Sequence, residues 1–148
     1  MKYFAPLLLA LILASCISVG KLATASGKPE ILIENKTSKQ VIDAIAAFAP
    51  TKGFQADKIT DYGITAVGSS AVSNIFGDKL VPATNNYSVV QQGANVKVYL
   101  IQFRTYPQDA SGNYNYDTGA IAQTSENNSQ SAYEMLQQQL VELKNFIH

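Results

Sequence analysis

The chain has 148 residues, of which 47% are hydrophobic and 15% are charged, and its 11 basic and 11 acidic side chains leave no net charge. This length and composition predict a single globular domain and exclude a disordered chain. A neutral chain also lacks the positive field that attracts nucleic acids, so we expect no nucleic-acid partner.

The first residues have the pattern of an export signal. Lys2 precedes an uncharged run of 11 residues, 4–14, which is typical of a secretory signal peptide. The run is shorter than the roughly 20 apolar residues that a membrane-spanning helix needs. A core helix at the amino terminus is the alternative, but the segment has no polar face. We therefore expect residues 1–15 to be a signal peptide that is removed.

The end of this run contains the only cysteine of the chain, in the sequence Leu13-Ala14-Ser15-Cys16. These four residues resemble the lipobox of bacterial lipoproteins, in which an aliphatic residue and two small residues precede a cysteine. The resemblance implies that Cys16 becomes the first mature residue and carries a diacylglycerol on its sulfur, commonly with a third acyl chain such as palmitate on its nitrogen. Two or more acyl chains anchor a protein stably to a membrane.

The residue after the cysteine bears on the destination of a lipoprotein. In bacteria with two membranes, aspartate at this position favours the inner membrane, and here the residue is Ile17. The resemblance thus implies an extracytoplasmic protein on the outer membrane, if the host has one. Residues 16–29 mix small and polar residues with glycine and proline, which predicts a flexible lipidated tether before a single domain at 30–148.

The first half of the domain predicts a strand, a helix and then further strands. Residues 31–34 form a short apolar run, and Thr37 with Gln40 fits the capping box that begins a helix. Strands are expected at 54–60 and 63–69. The apolar stripe of the helix comprises Val41, Ile45 and Phe48.

Residues 70–85 are harder to assign. Pro82 argues against a central strand there, since proline cannot donate a ladder hydrogen bond. We expect an irregular connection, with a short helical turn near residues 72–76.

The clearest sheet pattern is a hairpin formed by residues 87–92 and 95–106 around Gly93-Ala94. Apolar side chains alternate to both faces of its second strand. Val96, Val98 and Leu100 point one way, and Tyr99, Ile101 and Phe103 point the other. One face should meet the helices, and the other should meet a second layer, form a self-association surface or line a pocket.

The chain is predicted to end with a strand within residues 114–123 and a long amphipathic helix. This helix begins at Ser131, or one turn earlier at Asn128 or Ser129. Its stripe comprises Ala132, Leu136, Leu140, Leu143 and Ile147.

This order predicts an α+β two-layer sandwich, in which a mostly antiparallel sheet carries the first helix and the long C-terminal helix on one face. The order is similar to that of helix-grip-like modules found in some envelope lipoproteins. The resemblance implies a curved sheet with helices on one face, and it implies no particular activity.

Few residues could carry out catalysis. The only histidine is the last residue, His148, and lipidation would leave no free thiol, so His-dependent and Cys-dependent chemistry and Cys/His zinc sites are disfavoured. Asp43 on the first helix is expected to be solvated. The remaining aspartates sit in predicted turns, where aspartate bonds to its own backbone. They are Asp57, Asp61, Asp78, Asp109 and Asp117.

We therefore expect a non-enzymatic binding or assembly module without a cofactor or a metal site. Its partner surface would comprise Tyr99, Ile101 and Phe103, and it would contact an envelope protein or a second copy. The alternatives are a carboxylate-dependent envelope enzyme and a carrier of a small apolar ligand.

Overall fold

A computed structural model describes residues 19–74, 77–108 and 121–148, including the side chains of all of these except 72–74, 77–79, 107–108 and 121–122. Two α-helices, a short 3-10 helix and six strands lie along these residues. In chain order they are β1 (Glu30–Ile33), α1 (Ser38–Phe48), the 3-10 helix (Ala49–Lys52), β2 (Phe54–Thr60), β3 (Gly63–Asn74), β4 (Gly77–Gln92), β5 (Asn95–Gln108), β6 (Ile121–Glu126) and α2 (Gln130–Ile147).

The six strands form one antiparallel sheet in the order β1-β5-β4-β3-β2, and β6 also pairs with β5. Residues 96–99 of β5 pair with β1, and residues 103–108 pair with β6. The two short strands therefore follow each other along one edge of β5. The strands β2, β3, β4 and β5 pair with one another in chain order as antiparallel hairpins. Most of the sheet therefore forms between strands that are neighbours in the sequence.

Both helices pack on the same face of the sheet, and the expected α+β sandwich is confirmed. The apolar stripes of α1 and α2 meet the inward side chains of the strands in one core. Each aliphatic side chain buried there contributes about 1.5–3 kcal/mol. The most deeply buried members are Ile33, Val41, Ile45, Val96, Val98, Leu100, Leu136, Leu140 and Leu143.

The capping box predicted for α1 is present. The Gln40 amide donates to the Thr37 hydroxyl at 3.3 Å, and the Thr37 amide donates to the Gln40 side chain at 2.9 Å. The α-helix ends at Phe48, and the chain continues through the 3-10 helix that contains Pro50. Gly53 follows with φ +77°, a left-handed conformation that glycine adopts without steric cost. These residues turn the chain into β2.

The expectation of an irregular connection at 70–85 is wrong, because β3 extends to Asn74 and β4 begins at Gly77. The β3–β4 ladder is continuous over residues 63–74 and 77–88. Pro82 is tolerated because the β4–β5 ladder begins only at Ala83, opposite Arg104. At Pro82 the strand is paired on one side only, which is the position where proline fits in a sheet.

The predicted hairpin between β4 and β5 is confirmed, with Gly93 at φ +62° in its turn. The alternation along β5 is confirmed as well. Val96, Val98 and Leu100 are fully buried beneath the helices, whereas the side chains between them are only partly covered.

The last helix begins at the earlier of its predicted positions. Ser129 is its N-cap, and the Ser129 hydroxyl accepts from the Ala132 amide at 3.3 Å. The strand before the helix, β6, covers residues 121–126. The remainder of the predicted strand, residues 114–120, lies outside the described residues.

The described part of the expected tether, residues 19–29, contacts the domain. The Gly20 amide donates to the Asn128 carbonyl at 2.7 Å, and the Lys21 amide donates to the Gln130 side chain at 2.9 Å. Gly20 and Pro29 are buried. A Cβ on Gly20 would lie 2.8 Å from the Ser129 carbonyl oxygen, so only glycine fits this contact.

Candidate functional site

The predicted partner surface lies on the face of the sheet opposite the helices, which we call the open face. Tyr99, Ile101 and Phe103 are each half-buried there. They alternate with Leu100 and Gln102, which point beneath the helices and are fully and almost fully buried. β5 therefore brings the three predicted residues together in one row, as the alternation requires.

Neighbouring strands add both polar and apolar side chains to the open face. Ser88, Asn86 and Thr84 of β4 lie directly opposite Tyr99, Ile101 and Phe103, respectively. Several large apolar side chains of the same face are exposed to solvent at the flanks of this row. They are Leu32, Val67, Leu80 and Val90.

One ion pair borders the open face beside Tyr99. The Lys97 Nζ lies 2.9 Å from a Glu30 carboxylate oxygen and 5.3 Å from the centre of the Tyr99 ring. Burial acts to raise the pKa of Glu30, but contacts with Ser26, Lys97 and the Ala25 amide outweigh it and hold that pKa below its usual value. The hydrogen bond to Glu30 raises the pKa of Lys97. Both groups thus stay charged, and they neutralise each other.

The carboxylates suggested by the sequence do not form a pair in the described part of the chain. Asp57 lies at an irregularity of β2 and Asp61 in the β2–β3 turn, and both are exposed. Asp61 lines a groove of about 400 Å³ with Asp43, but Asp43 is already paired with Lys39 at 2.8 Å. The side chain of Asp78 and all of Asp109 and Asp117 lie outside the described residues, as does Cys16.

On the other face of the sheet, a cleft of about 350 Å³ separates α2 from β3 and the start of β2. Its apolar floor includes Phe54 and Met135. The ion pair of Lys52 with Glu142 stands at its rim. The other polar side chains that line it are Ser69, Ser70, Gln102, Gln138 and Gln139.

A cluster of polar side chains extends from the cleft into the core. Gln102, which is 2% exposed, donates to the Oδ1 of the fully buried Asn85 at 3.0 Å. Arg104 donates to Ser70 Oγ at 2.8 Å through Nη2 and to Gln102 Oε1 at 3.2 Å through Nε. The Asn127 side chain lies 2.9 Å from Gln102 Oε1. We call these five residues the polar cluster.

Small neighbours make room for the polar cluster. Arg104 lies opposite Ala83, and Ala83 lies opposite Gly68, so the long side chain crosses one strand, β4, to reach Ser70 of β3. Next to the cluster, burial raises the pKa of Tyr87 to about 12, and its hydroxyl accepts from Gln139. The Tyr87 hydroxyl therefore remains neutral at any physiological pH.

The pattern of residues along β5 indicates the polar cluster, although the composition of the chain does not. Gln102 and Arg104 continue the alternation of Val96, Val98 and Leu100, so strand periodicity places them beneath the helices. Polar residues at strand positions that point into the core indicate either a hydrogen-bonded network or a ligand site.

Comparisons with known proteins supply no family for this chain. No protein-family model matches it, and no curated protein has a similar sequence. Within the described ranges, no helix combines the length and the apolar character needed to cross a bilayer. Among the same residues, no three of the His, Cys, Asp and Glu side chains come together as a metal site would require.

Proposed function

We propose that this protein is a lipid-anchored lipoprotein of the cell envelope that acts as a non-enzymatic binding or assembly module. Cys16 would hold the acyl chains, with the outer membrane as its destination in a host that has two membranes. The open face, through Tyr99, Ile101 and Phe103, would contact a partner protein.

One observation carries the proposed contact. The helices cover one face of the sheet, whereas the open face presents a row of three large apolar side chains with further exposed apolar residues beside it. A sheet face that carries several partly exposed and exposed apolar side chains favours an interaction site, because leaving them in water costs free energy.

The composition of the open face favours a protein partner over direct contact with lipid. Thr84, Asn86 and Ser88 alternate across the strands with the apolar row. Hydroxyl and amide groups would lose their hydrogen bonds to water in a hydrocarbon layer, whereas a protein surface can replace them. Tyrosine and phenylalanine are also enriched at the centres of protein interfaces.

The proposed anchor rests on the lipobox at Leu13–Cys16 and on the apolar run before it. A lipid anchor would hold the domain near the membrane surface, where an envelope protein is a natural partner. The two alternatives have weaker support: Asp57 in β2 and Asp61 in the β2–β3 turn are both exposed, and the cleft beside α2 has many polar side chains for an apolar ligand.

Site-specific photo-crosslinking in intact cells tests the contact. A photoreactive residue is placed at position 99 or 101 of the full-length chain, with position 134 on the exposed side of α2 as the matched control. We expect a discrete crosslinked species from positions 99 and 101 and none from position 134. Adding Phe103→Asp should remove it, because a charge in the row would have to be desolvated on binding.

The mass of the crosslinked species distinguishes two forms of the same proposal. A mass of two chains identifies self-assembly, and any other defined mass identifies a heterologous partner. The same species from position 134, or no species from positions 99 and 101, would contradict the proposed surface. The unfolding midpoint of the Phe103→Asp variant, measured in parallel, shows whether the domain remains folded.

A further inference from the structure

The cleft beside α2 has the size of a small-molecule site and lies on the opposite side of the sheet from the proposed partner surface. Its volume of about 350 Å³ falls within the range typical of small-ligand pockets. Small-ligand pockets are usually lined mainly by apolar side chains, whereas most side chains that line this cleft are polar, which favours a polar ligand. The cleft is independent of the open face and of any partner bound there.

The two charged side chains that line the cleft, Lys52 and Glu142, neutralise each other at its rim. Arg104 does not line the cleft but lies behind Ser70 and Gln102, which do. In the part of the chain that the structure describes, Arg104 has no carboxylate partner, and its hydrogen bonds run through Nε and Nη2.

The polar cluster has further spare hydrogen-bonding capacity. The Nδ2 of Asn85 is buried and has no well-formed hydrogen bond among the described residues, although the Asn85 side chain faces the Tyr87 hydroxyl closely enough to oppose the rise in its pKa that burial causes. The Ser70 hydroxyl accepts two bonds from Arg104, and its own donor bond to Gln102 is long, at 3.3 Å. A buried donor left unpaired costs about 1–3 kcal/mol, so such a group in a native protein calls for an explanation.

We propose that this cleft binds a small organic carboxylate. The carboxylate would accept from the Ser70 hydroxyl and from glutamine side chains of the cleft, and the Arg104 guanidinium, one hydrogen bond behind Ser70, would balance its charge. A single guanidinium that has no carboxylate partner among the described residues matches a monoanion. The amide-bearing side chains Gln102 and Gln138 provide donors and acceptors for the rest of the ligand.

A titration monitored by NMR tests this proposal with two probes of nearly the same shape, N-acetylalanine, which ends in a carboxylate, and N-acetylalanine amide, which ends in a neutral carboxamide. The side-chain amide signals of Gln102, Gln138 and Gln139 report binding directly. We expect saturable shifts of these signals with N-acetylalanine and at least tenfold weaker binding of the neutral amide. Inorganic phosphate, titrated separately, should bind more weakly than the carboxylate because its second charge is unmatched.

Three variants complete the test. Arg104→Gln should weaken carboxylate binding at least tenfold, whereas Lys58→Gln, which removes an exposed cation elsewhere, should leave it unchanged. If Arg104→Gln does not fold, Met135→Trp provides an independent test. This substitution fills the cleft from an exposed position on α2 and should block binding. Equal binding of the two acetylalanine probes, tighter binding of phosphate, or full binding by Met135→Trp would overturn the proposal.

Discussion

Glu30 is an acidic side chain that the structure holds in a buried position. It is only 8% exposed, yet it lies at the first position of an edge strand. Its carboxylate accepts from Lys97 and from the Ala25 amide at 3.1 Å, and its backbone exchanges two hydrogen bonds with the Gln137 side chain. One residue thus joins β1, β5, α2 and the segment that precedes the domain.

The lowered pKa of Glu30 makes the stability of the fold depend on pH. Protonation is less favourable in the folded than in the unfolded chain, so the stabilisation is complete above the unfolded pKa, near 4.5, and is lost as pH falls through the lower folded pKa. We expect the free energy of unfolding of the native protein to fall between pH 6 and pH 3, and Glu30→Gln to reduce that fall. Urea titrations at both pH values provide the measurement.

Asp43→Asn is the matched control for this prediction. It breaks the exposed pair of Asp43 with Lys39, and such pairs contribute little to stability. Its pH dependence should follow that of the native protein. A Glu30→Gln variant with an unaltered pH dependence would show that the Glu30–Lys97 pair does not carry the effect.

At the scale of elements, local signals predicted most of the fold. The capping box at Thr37 and Gln40, the turn at Gly93 and the stripe of α2 depend on residues close together in the sequence, so reading the chain in order finds them. Pro82 led to the wrong prediction of an irregular connection, because the effect of proline on a strand depends on whether a neighbouring strand is paired at that residue. The pairing of β4 with β5 begins one residue later, and only the tertiary structure reveals this.

The segment before β1 shows the same limitation. Its small and polar residues predict a flexible tether, but in the structure this segment contacts the domain. Gly20 fits against the backbone of residues 128–130 because glycine has no side chain. We expect Gly20→Ala to displace this segment, since the new Cβ would come within 3 Å of the backbone of α2 and its N-cap. Hydrogen exchange should accelerate at residues 20 and 22, whose amides are bonded in the native structure.

The effect of Gly20→Ala should stay local. Residues 20–28 contribute little to the core, so we expect the free energy of unfolding to fall by only about 1 kcal/mol. Ala23→Ser, at an exposed position of the same segment, should leave both exchange and stability unchanged. Native exchange rates in Gly20→Ala would mean that the docking of this segment does not depend on the absence of a side chain.

For the whole molecule, the sheet separates the two proposed binding surfaces, and the sequence indicated one of them more clearly than the other. The row Tyr99, Ile101 and Phe103 was predicted because apolar alternation is visible in a single strand. A small-ligand carrier was one of the alternatives, but the residues that line the cleft were not predicted, because Phe54, Ser70, Gln102 and Met135 come from four elements distant in sequence. The polar residues at core-facing positions of β5 indicated that something lay beneath the helices. Their partners across the sheet could not be predicted, because these depend on the register of three strands.

The proposed anchor gives the last prediction. If Cys16 carries two or three acyl chains, each buried methylene contributes about 0.8 kcal/mol and the protein remains bound to membranes. Cys16→Ser should remove the lipid and release the protein from washed membranes, whereas Ser15→Ala keeps a small residue before the cysteine and should behave like the native protein. The tryptic peptide ending at Lys21 should carry the acyl mass only when Cys16 is present. Acylated Cys16→Ser protein, or native protein without acyl mass on this peptide, would rule out the anchor.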